Sequence, residues 1–121
     1  MKALRGATTV AADRPDAIVA ATAALLEELM RRNGLATDDL ISLVFTATPD
    51  LTAEFPALGA RSLGISDVPL LSAQEIGVPG ALPRCVRVLV HCYSSKSKGE
   101  LQHVYLGEAR RLRTDLAEGQ R

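Results

Sequence analysis

The run Arg84-Cys85-Val86-Arg87-Val88-Leu89-Val90-His91-Cys92 sets a permanent cation in the middle of the most β-prone segment of the chain. Its β-branched residues and bounding turn residues predict a strand, and alternation sorts the side chains onto two faces. Val86, Val88, Val90 and Cys92 share one face; Cys85, Arg87, Leu89 and His91 share the other. The preceding run, Val68-Pro69-Leu70-Leu71-Ser72-Ala73-Gln74-Glu75, reads as a second strand. The two are expected as a hairpin, joined by a tight turn bearing glycine and proline. A charge buried without a partner costs several kcal/mol. Arg87 therefore reaches solvent, pairs with an internal carboxylate, or lines a cavity built for an anion. Glu75 is the nearest partner.

A chain of 121 residues suits a single domain over residues 1–121. Only 3% of residues are aromatic against 47% apolar overall, so Leu, Val, Ile and Ala must fill the core. Basic and acidic residues balance at 14 each, leaving no global field to attract nucleic acid or a membrane surface. Of the basic residues 11 are arginine, the side chain best matched to bidentate binding of carboxylate or phosphate. Cys85 and Cys92 fall on opposite faces of one strand and are not expected to bond each other. Packing is the reading for both, and for His91. No Cys/His spacing suggests a metal centre. The opening Met1-Lys2-Ala3-Leu4-Arg5 lacks the apolar core of a secretion signal, and no apolar run reaches membrane-span length. These features point to a cytoplasmic protein that contacts neither nucleic acid nor membrane.

Residues 2–10 read as an opening strand. Within it, Gly6 beside Arg5 marks the close approach of a ligand or another backbone, or a β-bulge. Asp13 is placed to cap a helix with Pro15 and Asp16 in its first turn, running to about Asn33. Ile18, Ala21, Thr22, Leu25, Leu26 and Leu29 form its apolar stripe, and Gly34 ends it. After a turn at Thr37–Asp39, Leu40–Ala47 reads as a buried strand. Residues 51–63, interrupted by Pro56, are expected as one or two short helical turns stopped by Gly64. Residues 94–99 form a polar loop. Val104-Tyr105-Leu106 suits a short strand or, with Ala109 and Leu112, a helical turn. Residues 118–121 are expected to fray. The fold class is α+β, close to α/β: a mixed β-sheet with one long helix and short helical turns. That cover is too thin for both faces of a sheet, so the second face is expected to pack against another subunit.

Familiar catalytic patterns are absent. No glycine-rich phosphate loop leads from a strand into a helix, and no nucleophile elbow occurs. His91, His103 and Ser72 lack evident catalytic partners in the sequence. What remains is a set of arginines, Arg5, Arg61, Arg87 and Arg113, with Glu75. Such a set binds a small polyanion and accepts one hydrogen bond from it, without metal, cofactor or covalent intermediate. Composition alone leaves open an enzyme and an anion-sensing module.

Five blocks carry a resemblance. They are Leu4-Arg5-Gly6-Ala7-Thr8-Thr9-Val10; Ala47-Thr48-Pro49-Asp50-Leu51 with Phe55-Pro56-Ala57; and residues 68–75 as quoted above. Pro79-Gly80-Ala81-Leu82-Pro83-Arg84 with Val86-Arg87-Val88, and His103-Val104-Tyr105-Leu106 with Leu112-Arg113-Thr114-Asp115-Leu116, complete them. In this order, over nearly the whole chain, they resemble the AroH class of monofunctional chorismate mutases. The resemblance implies conversion of chorismate to prephenate by a [3,3] rearrangement. It also implies a homotrimer that forms a pseudo-α/β-barrel with active sites between neighbouring subunits. By the same resemblance, Arg5 and Tyr105 bind substrate carboxylate, and Arg87 holds the side-chain carboxylate and sits at the ether oxygen. Glu75 accepts the ring hydroxyl's hydrogen bond, with Ser72 beside it. Phe55 and Arg61 come from the adjacent subunit, and Leu112 and Arg113 lie near the mouth. A small-anion-binding trimer using the same cleft is the alternative.

The physics suits the residue types. The C–O bond breaks ahead of C–C formation, so negative charge grows on the ether oxygen. A preorganised cation there favours the transition state over the substrate, and one such donor is worth roughly 3–4 kcal/mol. Clamping both carboxylates selects the compact conformer that reacts. Three places depart from the family pattern. Leu58 stands where some members carry lysine, and Ser72 where some carry cysteine. Residues 94–99 with Gln102 replace a more charged stretch.

Overall fold

The computed structural model describes residues 1–112. Arg113 and the tail expected to fray lie outside them. Five strands form one mixed sheet: β1 (Lys2–Thr9), β2 (Leu40–Ala47), β3 (Leu70–Gln74), β4 (Cys85–Cys92) and β5 (Val104–Tyr105). Their order across the sheet is β3-β2-β4-β1-β5. Strand β4 runs antiparallel to both its neighbours, while β3 lies parallel to β2 and β5 parallel to β1. Among the described residues two helices join the sheet, α1 (Pro15–Asn33) and α2 (Ala57–Ser62), and residues 110–112 are helical as well. The class is α+β, as expected.

The expected hairpin does not form. β2 lies between β3 and β4. β2 needs hydrogen-bonding partners on both edges, and the connection 75–84 crosses its end rather than folding back. The crossing is pinned by Glu75 N–H to the Ala47 carbonyl at 2.9 Å and Thr48 N–H to the Cys85 carbonyl at 3.0 Å. The open choice for residues 104–106 resolves as a two-residue strand, with a 3-10 turn at Gly107–Ala109 following it.

Helix α1 starts at Pro15, whose fixed φ suits a first turn. Asp13 does not cap it. Its carboxylate accepts the N–H groups of Thr52 and Ala53 at 2.9 and 3.0 Å and the Thr52 hydroxyl at 3.0 Å. Asp13 thus fastens the loop after β2, and these donors, Ala53 first, hold its carboxyl below the ordinary value. Gly34 closes the helix at φ 63°, a left-handed conformation that glycine adopts without penalty.

One sheet face is sealed by α1. Ile18, Leu25, Leu26 and Leu29 are buried, as are Leu4, Leu43, Phe45, Val86, Val88 and Val90 of the strands. Gly6 belongs to this packing. A Cβ there would lie 2.7 Å from Leu29 Cδ1 and 3.1 Å from Leu25 Cδ1, so helix side chains make the close approach. No bulge occurs in β1, whose register against β4 is unbroken; the irregularity lies in β2, between Leu40 and Ser42. The cysteines are free thiols on different faces. Cys92 joins the core under α1, whereas Cys85 packs with Ala7 and Ala109. Burial pushes the Cys85 thiol up to about 11, against the opposing pull of Arg87, so it stays protonated near neutrality.

Candidate active site

The second sheet face is not covered by α1 or α2; the 3-10 turn at Gly107–Ala109 packs on one part of it, with Ala109 against Ala7 and Cys85. Alternation brings Arg87 and Leu89 of β4 to this face beside Val44 and Thr46 of β2 and Arg5 and Ala7 of β1. Register sets Thr46 and Ala7 on either side of Arg87, and Tyr105 next to Ala7. These residues and Leu112 line a cleft of about 310 Å³. Four of the expected residues, Arg5, Arg87, Tyr105 and Leu112, are thus brought together.

Glu75 meets Arg87 across the end of β2. Arg87 Nε donates to Glu75 Oε1 at 3.2 Å and Oε2 at 3.1 Å. The Arg87 side chain is 43% exposed and that of Glu75 17%. At such exposure an ion pair adds at most about 1 kcal/mol, so its importance is orientation. Because Glu75 takes Nε, the two terminal amino groups of the guanidinium have no hydrogen-bond partner among the described residues. Thr46, treated in the sequence only as part of a buried strand, belongs to this arrangement. Its hydroxyl donates to Glu75 Oε2 at 2.7 Å. Alternation from buried Phe45 is the signal that places Thr46 on the face of Arg87.

Ser72 is not beside Glu75. It pairs with Phe45 in the β2–β3 register, whereas Ala73 pairs with Thr46. Residues three apart on a strand point to opposite faces. Ser72 lines a second cleft, of about 340 Å³, with Phe55, Pro56 and Gln74. Its hydroxyl oxygen is buried and has no hydrogen-bond partner among the described residues. Phe55 is 69% exposed. Arg61 lies exposed in the last turn of α2 and lines neither cleft. Arg113 falls outside the described residues.

His103 has a partner after all: its Nδ1 accepts the Arg5 N–H at 2.9 Å. Burial, and then the Arg5 charge, hold the imidazole below its ordinary value, which keeps that acceptor unprotonated. His91 Nδ1 lies 3.1 Å from the Ser42 hydroxyl. Among the described residues no group of three His, Cys, Asp or Glu side chains converges to hold a metal. No described helix is long and apolar enough to cross a membrane.

Similarities to known proteins agree with this geometry. Residues 1–116 match the family model for chorismate mutase type I. The chain is 46% identical over 121 residues to chorismate mutase AroH of Thermus thermophilus, covering 99% of each protein. It is 37% identical over 118 residues to chorismate mutase AroH of Bacillus subtilis, covering 97% of this chain and 93% of that one. The fold superimposes on a chorismate mutase from Clostridium thermocellum with a TM-score of 0.90 and 47% identity, over 92% of this chain and 99% of that one. The chain belongs to the type I chorismate mutases.

Proposed function

We propose that the cleft of Arg5, Arg87, Tyr105 and Leu112 is where this chorismate mutase, an isomerase of aromatic amino acid biosynthesis, turns chorismate into prephenate. One observation carries the reading: Glu75 holds Arg87 by Nε, which leaves the terminal amino groups without a hydrogen-bond partner among the described residues and available to a ligand in the cleft. Those groups meet the ether oxygen as its negative charge grows, and stabilise the transition state more than the substrate. Glu75, anchored by Thr46 and Arg87, accepts the ring hydroxyl's hydrogen bond. Arg5 and Tyr105 bind carboxylate and hold the compact conformer. Leu112 lies at the mouth. No proton is transferred, no covalent intermediate forms, and no cofactor takes part.

The remaining residues are supplied by a neighbouring copy in a homotrimer, a pseudo-α/β-barrel with its sites between subunits. Two features support this. Among the described residues, Val44, Thr46, Arg87 and Leu89 of the second sheet face are not covered by α1 or α2 and stay half-buried or exposed. β3 is an edge strand beside exposed Phe55, Leu71, Ile76 and Val78, an apolar surface of the kind that marks an interface. Phe55, Ser72 and Arg61 of one copy then close the Arg87 cleft of the next, with Arg61 on the second carboxylate. Leu58, 36% exposed on α2, alters affinity or closure at this seam rather than the chemistry. The free thiols Cys85 and Cys92 suit the reducing cytoplasm. Neither nucleic acid nor membrane is a partner.

Ultraviolet loss of chorismate, with prephenate confirmed by acid conversion to phenylpyruvate, tests the reaction. Complementation tests the shared site. Arg61→Ala and Arg87→Ala chains, each inactive alone, are expected to regain part of the activity when refolded together, because mixed trimers contain some intact sites. Absence of any recovery would refute the sharing. Protection from heat by chorismate without prephenate would leave an anion-binding module.

A further inference from the structure

We propose that Asn33 is a positioning residue that sets Tyr105 in the cleft by bridging the end of α1 to the segment that enters β5. Asn33 is the last residue of α1 and is 2% exposed. Both donors of its amide and its oxygen are engaged. Nδ2 donates to the Leu29 carbonyl at 2.8 Å, one turn back along the helix, and to the Gln102 carbonyl at 2.8 Å. Oδ1 accepts the Gln102 N–H at 2.8 Å. One side chain therefore satisfies both backbone groups of Gln102, as a paired strand residue does in a ladder.

The bonds that follow run in sequence towards the cleft. His103 Nδ1 takes the Arg5 N–H, Val104 and Tyr105 pair with Gly6 and Ala7, and Leu106 N–H reaches the Ala7 carbonyl at 2.9 Å. β5 has two residues, so it makes few ladder bonds of its own, and its placement depends on how the chain enters it. The entry is fixed by a buried amide on a 19-residue helix, the longest rigid element of the fold. The next residue fixed holds the backbone of Arg5. A misplacement of about 1 Å transmitted to a binding group costs up to roughly 100-fold in rate. Only an amide suits the position. A carboxylate has no donor for the Leu29 and Gln102 carbonyls, and alanine leaves both groups of Gln102 without this partner.

The inference rests on Tyr105 being a substrate ligand, and the test separates the two. Asn33→Ser is the chosen variant. Its hydroxyl still bonds back to the Leu29 carbonyl, so α1 keeps its last turn, but it does not span to Gln102. Chorismate turnover is measured for Asn33→Ser, Tyr105→Phe and the double variant. We expect Asn33→Ser to lower kcat/KM about tenfold or more. In the Tyr105→Phe background we expect the same change to cost less than about twofold, because the group it positions is already gone. A loss of the same size in both backgrounds overturns the proposal, since Asn33 then serves the fold at large. So does unchanged kcat/KM for Asn33→Ser alone. If Tyr105→Phe itself has no effect, the assignment of Tyr105 falls, and this inference with it. Should Asn33→Ser fail to fold, Gln102→Pro removes the N–H given to Asn33, together with the side chain and the freedom of φ, and its cycle with Tyr105→Phe is read in the same way.

Discussion

The two faces of the sheet are built by the same strands and behave differently. Under α1, Leu4, Phe45, Val86, Val88 and Val90 are at most 2% exposed, and the chain seals this face by itself. On the other face Val44, Thr46 and Arg87 stay half-buried and Leu89 is 37% exposed. Strand β4 contributes to both, with a valine and an arginine as neighbours. The covered face supplies the stability against which the open face can hold a cation in a fixed position. Packing thus specifies the first face, whereas the second is left for the ligand and the neighbouring copy of the proposed assembly.

The largest effect on the covered face is expected from Phe45→Ala. It removes the bulkiest fully buried side chain and should cost about 3–5 kcal/mol in denaturant unfolding. A loss below about 1 kcal/mol would mean that this face is not the core. Leu89→Ala sharpens the contrast. For an isolated chain the cost would be within about 0.5 kcal/mol. If a neighbouring copy buries the open face, about 2–3 kcal/mol is expected, with a melting temperature that rises with protein concentration. Gly59→Ala probes the seam between the helices. Its Cβ would lie 2.6 Å from Thr22 Cβ and 3.0 Å from the Ala23 backbone nitrogen, so about 1–2 kcal/mol should be lost.

The smallest effect is a pH slope. Folding depresses the His103 value below its ordinary 6.5, so the folded state binds fewer protons. Stability from this group is complete above pH 6.5 and falls as pH drops through the lowered value. Melting curves between pH 7.5 and 5 should show the slope, and His103→Gln should flatten it. An unchanged slope would detach His103 from the Arg5 backbone.

Elements with strong local periodicity were legible in the sequence. Helix α1, β2 and β4 match their expected ranges closely because apolar spacing and Gly34 carry the information locally. Pairing was not legible in the same way. Nothing in residues 68–92 reveals that β2 inserts between the two strands, since β2 lies far back in the chain. Asp13 sits where a cap belongs, yet its partners Thr52 and Ala53 are remote in sequence. In the site, Arg87 stood out because a cation in an apolar strand demands a reason, and Glu75 was the natural partner. Thr46 and Asn33 stay hidden in the sequence, because short polar residues at buried or half-buried positions acquire meaning only from the groups that face them. The resemblance sets Ser72 beside Glu75, whereas strand alternation within one chain separates them.

The most direct test replaces Arg87 by citrulline, which keeps the shape and the Nε donor to Glu75 but removes the permanent charge. Chorismate turnover and unfolding are measured on the same preparation. We predict an unchanged fold and a fall in kcat of about 10²–10³-fold, the usual consequence of losing one preorganised charge-stabilising donor. Turnover equal to that of the parent chain would contradict the account, because the open face would then need no cation at its centre.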